Sequence, residues 1–203
     1  MVDLRALLKA LTLALACGYA TFAGAQGDVG AAGPVPGADA PLGDAQTLLN
    51  RLGTLTADED AGEAARLASE IEERWTHSGS ATLDLLLTRG REAIGVGELE
   101  RAVSHLTALT DHAPDFAEGW NQRATAFFLM DRYGEAISDI EQVLILEPRH
   151  FGALSGLGVI LESLGEEQAA LRAFRAANQV YPTEENIRSA IERLEALSGE
   201  RTL

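Results

Sequence analysis

The chain has 203 residues and a formal net charge of −15 at pH 7, because 31 Asp and Glu outnumber 16 Lys and Arg. This acidity argues against nucleic acid as a partner, since the neutralisation of phosphates requires clustered basic side chains. It favours solubility and a partner of basic character.

Residues 1–25 have the features of a secretory signal peptide. Arg5 and Lys9 give a positive start, an apolar stretch follows over residues 10–16, and Ala23 and Ala25 suit signal-peptide cleavage. A transmembrane anchor needs about 20 apolar residues in a row. This segment is too short for an anchor, because Thr12, Cys17-Gly18 and Thr21 interrupt it. We therefore expect an exported, periplasmic protein with no integral membrane segment after cleavage.

Cys17 is the only cysteine and leaves an alternative open. A lipidated cysteine directly after an apolar segment would make the chain a membrane-tethered lipoprotein. The preceding Ala14, Leu15 and Ala16 match the lipoprotein pattern poorly, so removal with the signal peptide is favoured. The mature chain would then have no disulfide and no thiolate metal site.

Two segments precede the regular part of the sequence. Residues 26–43 are mostly Gly, Pro and Ala, which cannot bury enough surface to offset their ordering entropy, so we predict a flexible linker. Residues 44–78 are predicted to form a helical hairpin. Its first helix covers residues 45–55, and its second helix begins with a capping box and carries an apolar stripe. The capping box is Thr56 and Glu59, and the stripe is Leu67, Ile71 and Trp75.

Residues 81–182 carry a period of 34 residues in three copies. Four columns show it: Leu86, Trp120 and Leu154; Gly90, Ala124 and Gly158; Ala102, Ala136 and Ala170; and Pro114, Pro148 and Pro182. This period is the signature of a helix-turn-helix repeat that stacks into a solenoid, so the predicted fold class is an all-α solenoid. The hairpin over residues 44–78 is interpreted as a terminal copy of the repeat whose column residues have diverged.

Each copy is predicted to contain two helices. The first helices cover residues 81–94, 115–129 and 149–163, and the second helices cover 98–111, 132–146 and 166–180. The small columns are expected where the two helices of a copy cross closely, and the prolines end the second helices. Asp139, close to Ala136, is expected to be exposed. The space between copies is expected to be filled by Leu106, Ile140 and Phe174.

Residues 183–203 are predicted to form a capping helix and a tail. The helix covers residues 184–197, and four apolar residues fall on one of its sides: Ile187, Ala190, Ile191 and Leu194. A terminal helix of this kind covers the last repeat with its apolar side and presents its polar side to water.

The repeat columns resemble those of the tetratricopeptide repeat family. The resemblance is best over residues 115–148, in Trp120, Ala124, Phe127, Tyr133, Ala136, Ile140, Val143 and Pro148. It covers about half of the chain and is specific for the fold. It implies a solenoid whose first helices line a concave surface that holds peptides or partner proteins, without implying one activity. We therefore expect an exported interaction scaffold or adaptor, or its lipoprotein form.

The expected binding surface lies on the inner side of the first helices. Its candidate residues, inferred from the packing columns, are Leu87, Arg91, Asn121, Thr125, Phe128, Ser155 and Val159. Such a mixture of apolar area and hydrogen-bonding groups suits an extended peptide. The family's grip on a C-terminal carboxylate uses Lys, Arg and Asn, and this surface offers no Lys. Neighbouring acids favour a basic ligand: Asp84, Glu118 and Glu162.

An enzyme remains a minor alternative. The four histidines, at positions 77, 105, 112 and 150, do not have the spacing of metal ligands. The two GxG pairs, at residues 95–97 and 156–158, follow no predicted strand and are interpreted as packing and turn glycines. No acid, base and nucleophile converge in the pattern, so we expect no catalytic residues, no metal and no cofactor.

Overall fold

The computed structural model describes residues 42–56 and 60–200. The predicted signal peptide and residues 26–41 of the predicted linker lie outside the described residues. The described part is helical, and its helices are α1 Leu42–Leu52, α2 Ala61–Trp75, α3 Ala81–Gly95, α4 Leu99–His112, α5 Ala117–Leu129, α6 Tyr133–Leu146, α7 Phe151–Ser163, α8 Glu167–Val180 and α9 Glu185–Glu200. The all-α solenoid is confirmed. None of the helices searched in these ranges is long and apolar enough to cross a membrane.

The three repeats are the hairpins α3–α4, α5–α6 and α7–α8, whose paired helices make the most extensive contacts in the described chain. Each hairpin turns through one residue with a positive φ: Gly97 at +76°, Asp131 at +58° and Gly165 at +76°. These three positions are 34 residues apart, so they form a further column of the repeat. Asp131 takes the glycine position, which an aspartate tolerates better than most residues.

The small residues on the first helices make room for large side chains within the same hairpin. A Cβ atom added to Gly90 would lie 2.6 Å from Leu106, and one added to Gly158 would lie 2.8 Å from the ring of Phe174. The close crossing predicted for this column is therefore present. Leu106 and Phe174, which were predicted to fill the space between copies, each cover the glycine of their own hairpin, whereas Ile140 reaches the next copy and lies 3.9 Å from a Cβ atom added to Gly156.

Asp139 is buried, contrary to the sequence prediction. It is only 4% exposed, and its carboxylate accepts two hydrogen bonds from Arg123, Nε–Oδ2 at 2.7 Å and Nη2–Oδ1 at 2.8 Å. The remaining Nη1 of Arg123 donates to the hydroxyls of Thr107 and Thr110 on α4. The guanidinium also lies 4.7 Å from the centre of the Trp120 ring. This cluster joins α4, α5 and α6, and so links the first repeat to the second.

Helix α9 packs against α8 at the carboxyl end of the solenoid. Three of the four predicted apolar residues are buried in the main core: Ile187, Ala190 and Leu194. Ile191 is partly buried against the same core. The helix therefore has the amphipathic arrangement that the sequence predicts for a cap.

The amino-terminal hairpin differs from its prediction in its boundaries. Helix α1 begins at Leu42, so residues 42 and 43 are helical rather than linker, and it ends at Leu52. Helix α2 begins at Ala61 and follows Asp60, whose carboxylate accepts a hydrogen bond from the backbone N–H of Thr56 at 3.2 Å. Thr56 is therefore not the N-cap that the capping-box spacing predicts, and Glu59 lies outside the described residues.

The hairpin α1–α2 does not stack on the first repeat as a fourth terminal copy. Its buried residues, including Leu49, Leu52 and Ile71, belong to the core cluster of the second and third repeats. The first repeat has a separate cluster that contains no residue of the hairpin. The hairpin folds back over the solenoid, and a Cβ atom added to Gly53 would lie 3.3 Å from the backbone oxygen of Gln179 at the end of α8.

Candidate functional site

A cleft of about 160 Å³ lies between α5 and α7. Its walls are Asn121, Ala124, Thr125, Phe128, Ile140, Gly152, Ala153, Gly156, Val159 and Ile160. Small residues on the facing sides of α5 and α7 leave this space between them. The structure brings together four of the seven predicted binding residues here: Asn121, Thr125, Phe128 and Val159.

The polar and aromatic groups of this cleft are held in place by local contacts. The amide of Asn121 donates to Glu118 Oε2 at 3.0 Å, and the hydroxyl of Thr125 donates to the backbone oxygen of Asn121 at 3.1 Å. The ring of Phe128 is partly buried and lies 5.9 Å from that of Tyr133. The cleft therefore presents a fixed aromatic wall beside two positioned polar side chains.

The other three predicted residues lie elsewhere. Leu87 is only 2% exposed and packs in the core of the first repeat, so the prediction that it faces an open groove is wrong. Arg91 is exposed on α3 and is not part of the α5–α7 cleft lining. Ser155 lines a second cleft instead. The continuous surface expected along the first helices is therefore divided.

The second cleft has a volume of about 400 Å³ and lies between α2 and α7. Its walls are Ala65, Ala68, Ser69, Glu72, Phe151, Gly152, Ser155, Tyr181, Glu184, Asn186 and Ile187. Gly152 and Ser155 are three residues apart on α7 and so share one face with Val159. The amino-terminal part of this face of α7 therefore faces α2 across the second cleft, and the first cleft lies farther along the face.

His150 joins the second and third repeats to α2. Its ring is 3% exposed and stacks on the ring of Trp75 at 4.1 Å between centroids. Its Nδ1 accepts a hydrogen bond from the backbone N–H of Ala153, so it caps α7, and its Nε2 lies 3.2 Å from Glu118 Oε2. Because Nδ1 is the acceptor, a neutral His150 carries its proton on Nε2 and donates it to Glu118.

The sequence predicts that His150 is not a metal ligand and that Trp75 lies on an apolar stripe, but it does not predict that the two rings stack. A local signal for the histidine was available, because His150 directly precedes the first helix of the third repeat, where a capping side chain is expected. The 34-residue period does not predict that His150 stacks on Trp75, which is 75 residues away in the sequence.

Glu72 on α2 faces this cluster. Burial raises the pKa of the Glu72 carboxyl, and the nearby Glu118 raises it further, whereas His150 and Arg91 oppose the increase. A carboxyl with a raised pKa is more easily protonated in the docked hairpin than in free chain. The contact between α2 and the repeats therefore carries an electrostatic cost at neutral pH.

The three acids expected to attract a basic ligand already have hydrogen-bond or ion-pair partners within the protein. Glu118 is buried and accepts hydrogen bonds from Asn121 and Gln122. Asp84 accepts hydrogen bonds from the backbone N–H and the hydroxyl of Ser78. Glu162 is paired with Arg193 at 2.8 Å. Across residues 42–56 and 60–200, no group of three or more His, Cys, Asp and Glu side chains could hold a metal ion.

The sequence is similar to known repeat proteins. The profile of the family described as "Tetratricopeptide repeat" matches residues 87–142 and 121–185. A TPR repeat-containing protein of Rhizobium etli is 39% identical over 158 residues, which cover 77% of this chain and 78% of that protein. Human Superkiller complex protein 3 is 25% identical over 119 residues, but the match spans only 7% of its length.

Solved structures with the same fold include peptide complexes. The first TPR domain of Spaghetti (RPAP3), bound to the HSP90 peptide SRMEEVD, has a TM-score of 0.56 at 20% identity and covers 59% of this chain and 95% of that chain. A crystal structure of MamA has a TM-score of 0.56 at 20% identity and covers 70% and 81% of the two chains. These similarities apply to the fold.

Proposed function

Because the chain belongs to the tetratricopeptide repeat family, we propose that it is a non-catalytic scaffold that holds a peptide or a segment of a partner protein in the α5–α7 cleft. The observation that carries the proposal is the lining of that cleft, where Phe128 and Val159 supply apolar area beside Asn121 and Thr125. An extended segment can place one apolar side chain between the helices while its backbone amides pair with the polar groups.

The ligand that suits this cleft is neutral or basic. The peptide in the RPAP3 complex, SRMEEVD, ends in acidic residues. This chain has a net charge of −15, no Lys after Lys9, and its exposed Arg91 lies outside the cleft lining. An acidic tail would be repelled by the negative net charge and would find no cation in the cleft lining to pair with. A basic segment would be attracted by the same negative charge. We therefore propose a partner with basic character and an association that weakens at high salt.

Peptides selected from a displayed random library against the purified protein should lose affinity when Val159 is replaced by arginine. Val159 is 39% exposed in the cleft, so Val159→Arg fills it without removing a core side chain. We expect at least a tenfold loss, roughly 1.4 kcal/mol or more, measured by fluorescence anisotropy. Ile145→Arg is the matched control, because Ile145 is 72% exposed on α6 and is not part of that lining. Equal binding by the two variants would place the site outside the cleft.

We also propose export to the periplasm, supported by the signal-like residues 1–25 of the sequence. The exported chain should begin at Gln26, because Ala23 and Ala25 suit the cleavage site. Intact-mass spectrometry of protein from the cell envelope measures this start. A chain that begins at a lipid-modified Cys17 would instead make the protein a tethered lipoprotein adaptor.

A further inference from the structure

Helix α2 lies beside the third repeat and contacts it through side chains that include Trp75. Its buried Ala64, Ala68 and Ile71 recur at intervals of three or four residues and belong to the core that α1 shares with the second and third repeats. Trp75, one turn beyond Ile71, stacks on His150 at 4.1 Å and lies 5.2 Å from Phe151. A single amphipathic stripe thus supplies the apolar contact of α2 with the third repeat.

The receiving surface is built by the third repeat and the start of α9. It consists of His150 and Phe151 at the beginning of α7, Tyr181 after α8, and Ile187 in α9. Phe151 and Tyr181 pack edge to face at 5.4 Å, so these rings support one another independently of α2. The same side of the cleft also contains the polar residues Ser155, Glu184 and Asn186.

We propose that this surface is a helix-binding site, distinct from the α5–α7 cleft, that the chain's own α2 occupies and that an amphipathic helix with the same stripe can take over. The recognised ligand is a helix with small and branched apolar residues at intervals of three or four and a terminal tryptophan. The proposal does not depend on the function proposed for the cleft.

The attachment of the hairpin permits exchange. Short backbone joins α2 to α3, and Gly79 within it has a φ of +80°, a conformation that glycine adopts without strain. The polar contacts between α1 and the repeats include side-chain hydrogen bonds from Arg149 to Asn50 at 2.6 Å and from Gln46 to Glu147 at 3.5 Å. Because α2 is tethered beside its site, its effective concentration is of millimolar order, and an added helix competes with it.

A labelled synthetic peptide of residues 60–77 tests the proposal on the full-length chain. It should bind the Trp75→Ala protein at least about tenfold more tightly than the wild-type protein, because the internal helix no longer holds its ring on His150. The peptide that itself carries Trp75→Ala is the matched control. It should bind each protein more weakly than the unaltered peptide does. Equal affinity of the wild-type and variant proteins, or equal binding of the two peptides, would overturn the proposal.

The cleft variant separates this site from the proposed function. Val159 lines the other cleft, so adding Val159→Arg to the Trp75→Ala protein should leave binding of the 60–77 peptide unchanged. If Val159→Arg removes both ligands, there is one site and the proposal fails. If it removes only library peptides, the two sites are distinct.

Hydrogen exchange on the unaltered protein gives a test that needs no substitution. Amides of α2 should exchange through a local opening that is at least about tenfold more populated than the opening of α5 to α8. Adding the unlabelled 60–77 peptide in excess should further increase exchange of the internal helix. Exchange of α2 and the repeats at one common rate, unaffected by the peptide, would show that α2 is a fixed part of the core.

The occupied state should also respond to pH through Glu72. Its pKa is raised by burial when α2 is docked, so docking takes up a proton. The stabilising effect is complete below the ordinary carboxyl pKa and is lost as the pH rises through the docked value. The groups that face Glu72 are Glu118 on α5, His150 before α7, Arg91 on α3, and Tyr181 with Glu184 before α9.

Protection of α2 against hydrogen exchange, corrected for the intrinsic rate, should therefore increase as the pH falls from neutral towards the ordinary carboxyl pKa of 4.5. Glu72→Gln removes the titrating group and keeps the shape, so its α2 should be better protected than wild type at pH 7 and should show a weaker pH response. This comparison isolates Glu72 from His150, which is present in both proteins. The same pH response in both proteins would contradict the role of Glu72.

Discussion

Replacing Asp139 with alanine should lower the free energy of unfolding by about 3–5 kcal/mol. The change leaves the guanidinium of Arg123 in a largely buried site with only the hydroxyls of Thr107 and Thr110 as hydrogen-bond partners. A buried charge without its counter-ion retains its desolvation cost, so removal of one partner is far worse than removal of both. Chemical denaturation, monitored by circular dichroism, measures the loss.

The control for Asp139 lies on the same helix. Glu135 pairs with Arg132 at 2.8 Å, but both side chains are exposed, so Glu135→Ala should cost no more than about 1 kcal/mol. The double change Arg123→Leu with Asp139→Leu should be less harmful than Asp139→Ala alone, because apolar side chains can replace a buried ion pair. If Asp139→Ala and Glu135→Ala are equally mild, the Arg123–Asp139 contact does not hold the repeats together.

Ending the chain at Thr183 should make the protein aggregate. The deletion removes α9 and with it the buried Ile187 and Leu194, each of which contributes about 1.5–3 kcal/mol. It also exposes the side of α8 against which α9 packs. A solenoid end without a polar cover associates with other copies. Light scattering of the purified truncated chain checks the result.

Two equal substitutions in α9 test the same cap without truncation. Leu194 is 1% exposed and Leu197 is 40% exposed, three residues apart on one helix. Leu194→Glu buries an unpaired carboxylate and should destabilise the protein strongly, whereas Leu197→Glu should have little effect. A monodisperse truncated chain, together with equal melting temperatures for these variants, would show that α9 does not act as a cap.

The repeats were predictable because their packing is local. The 34-residue columns identified the paired helices, since each column records a contact within one hairpin or between neighbours. A further column was readable, because Gly97, Asp131 and Gly165 occupy the left-handed turn in the three copies. The columns could not distinguish contacts within a hairpin from contacts between hairpins. The contact of Phe174 with Gly158 of its own hairpin was therefore not predicted.

Asp139 shows how a polar residue can mislead. It is three residues after Ala136 and four before Val143, so its helical position is on the buried stripe. Its acidic character suggested exposure, and only the structure shows that Arg123 approaches from α5. A charged residue in register with a buried stripe is evidence for a buried ion pair, and this signal was present in the sequence.

The candidate site was predicted in part. Asn121, Thr125, Phe128 and Val159 are brought together because they occupy equivalent inner faces of two adjacent first helices. Leu87 occupies the same column as Asn121 and Ser155, but a large apolar side chain there packs into the core of its own repeat. Ser155 lines the cleft between α2 and α7, an arrangement that no short-range pattern encodes. An apolar stripe on α2 predicts burial without naming the partner surface.

The most direct test of the account is a crosslink between α1 and the end of α8. In a Cys17→Ser background, Gly53→Cys with Gln179→Cys should react with a short bifunctional thiol reagent to give an intramolecular product. This is expected because a Cβ atom at residue 53 would lie 3.3 Å from the backbone oxygen of Gln179. The comparison pair is Gly53→Cys with Leu85→Cys, which places the second thiol on an exposed position of the first repeat. A product is expected from the first pair only; a product from the second pair alone would place the hairpin beside the first repeat and contradict the fold-back of α1–α2 over the second and third repeats.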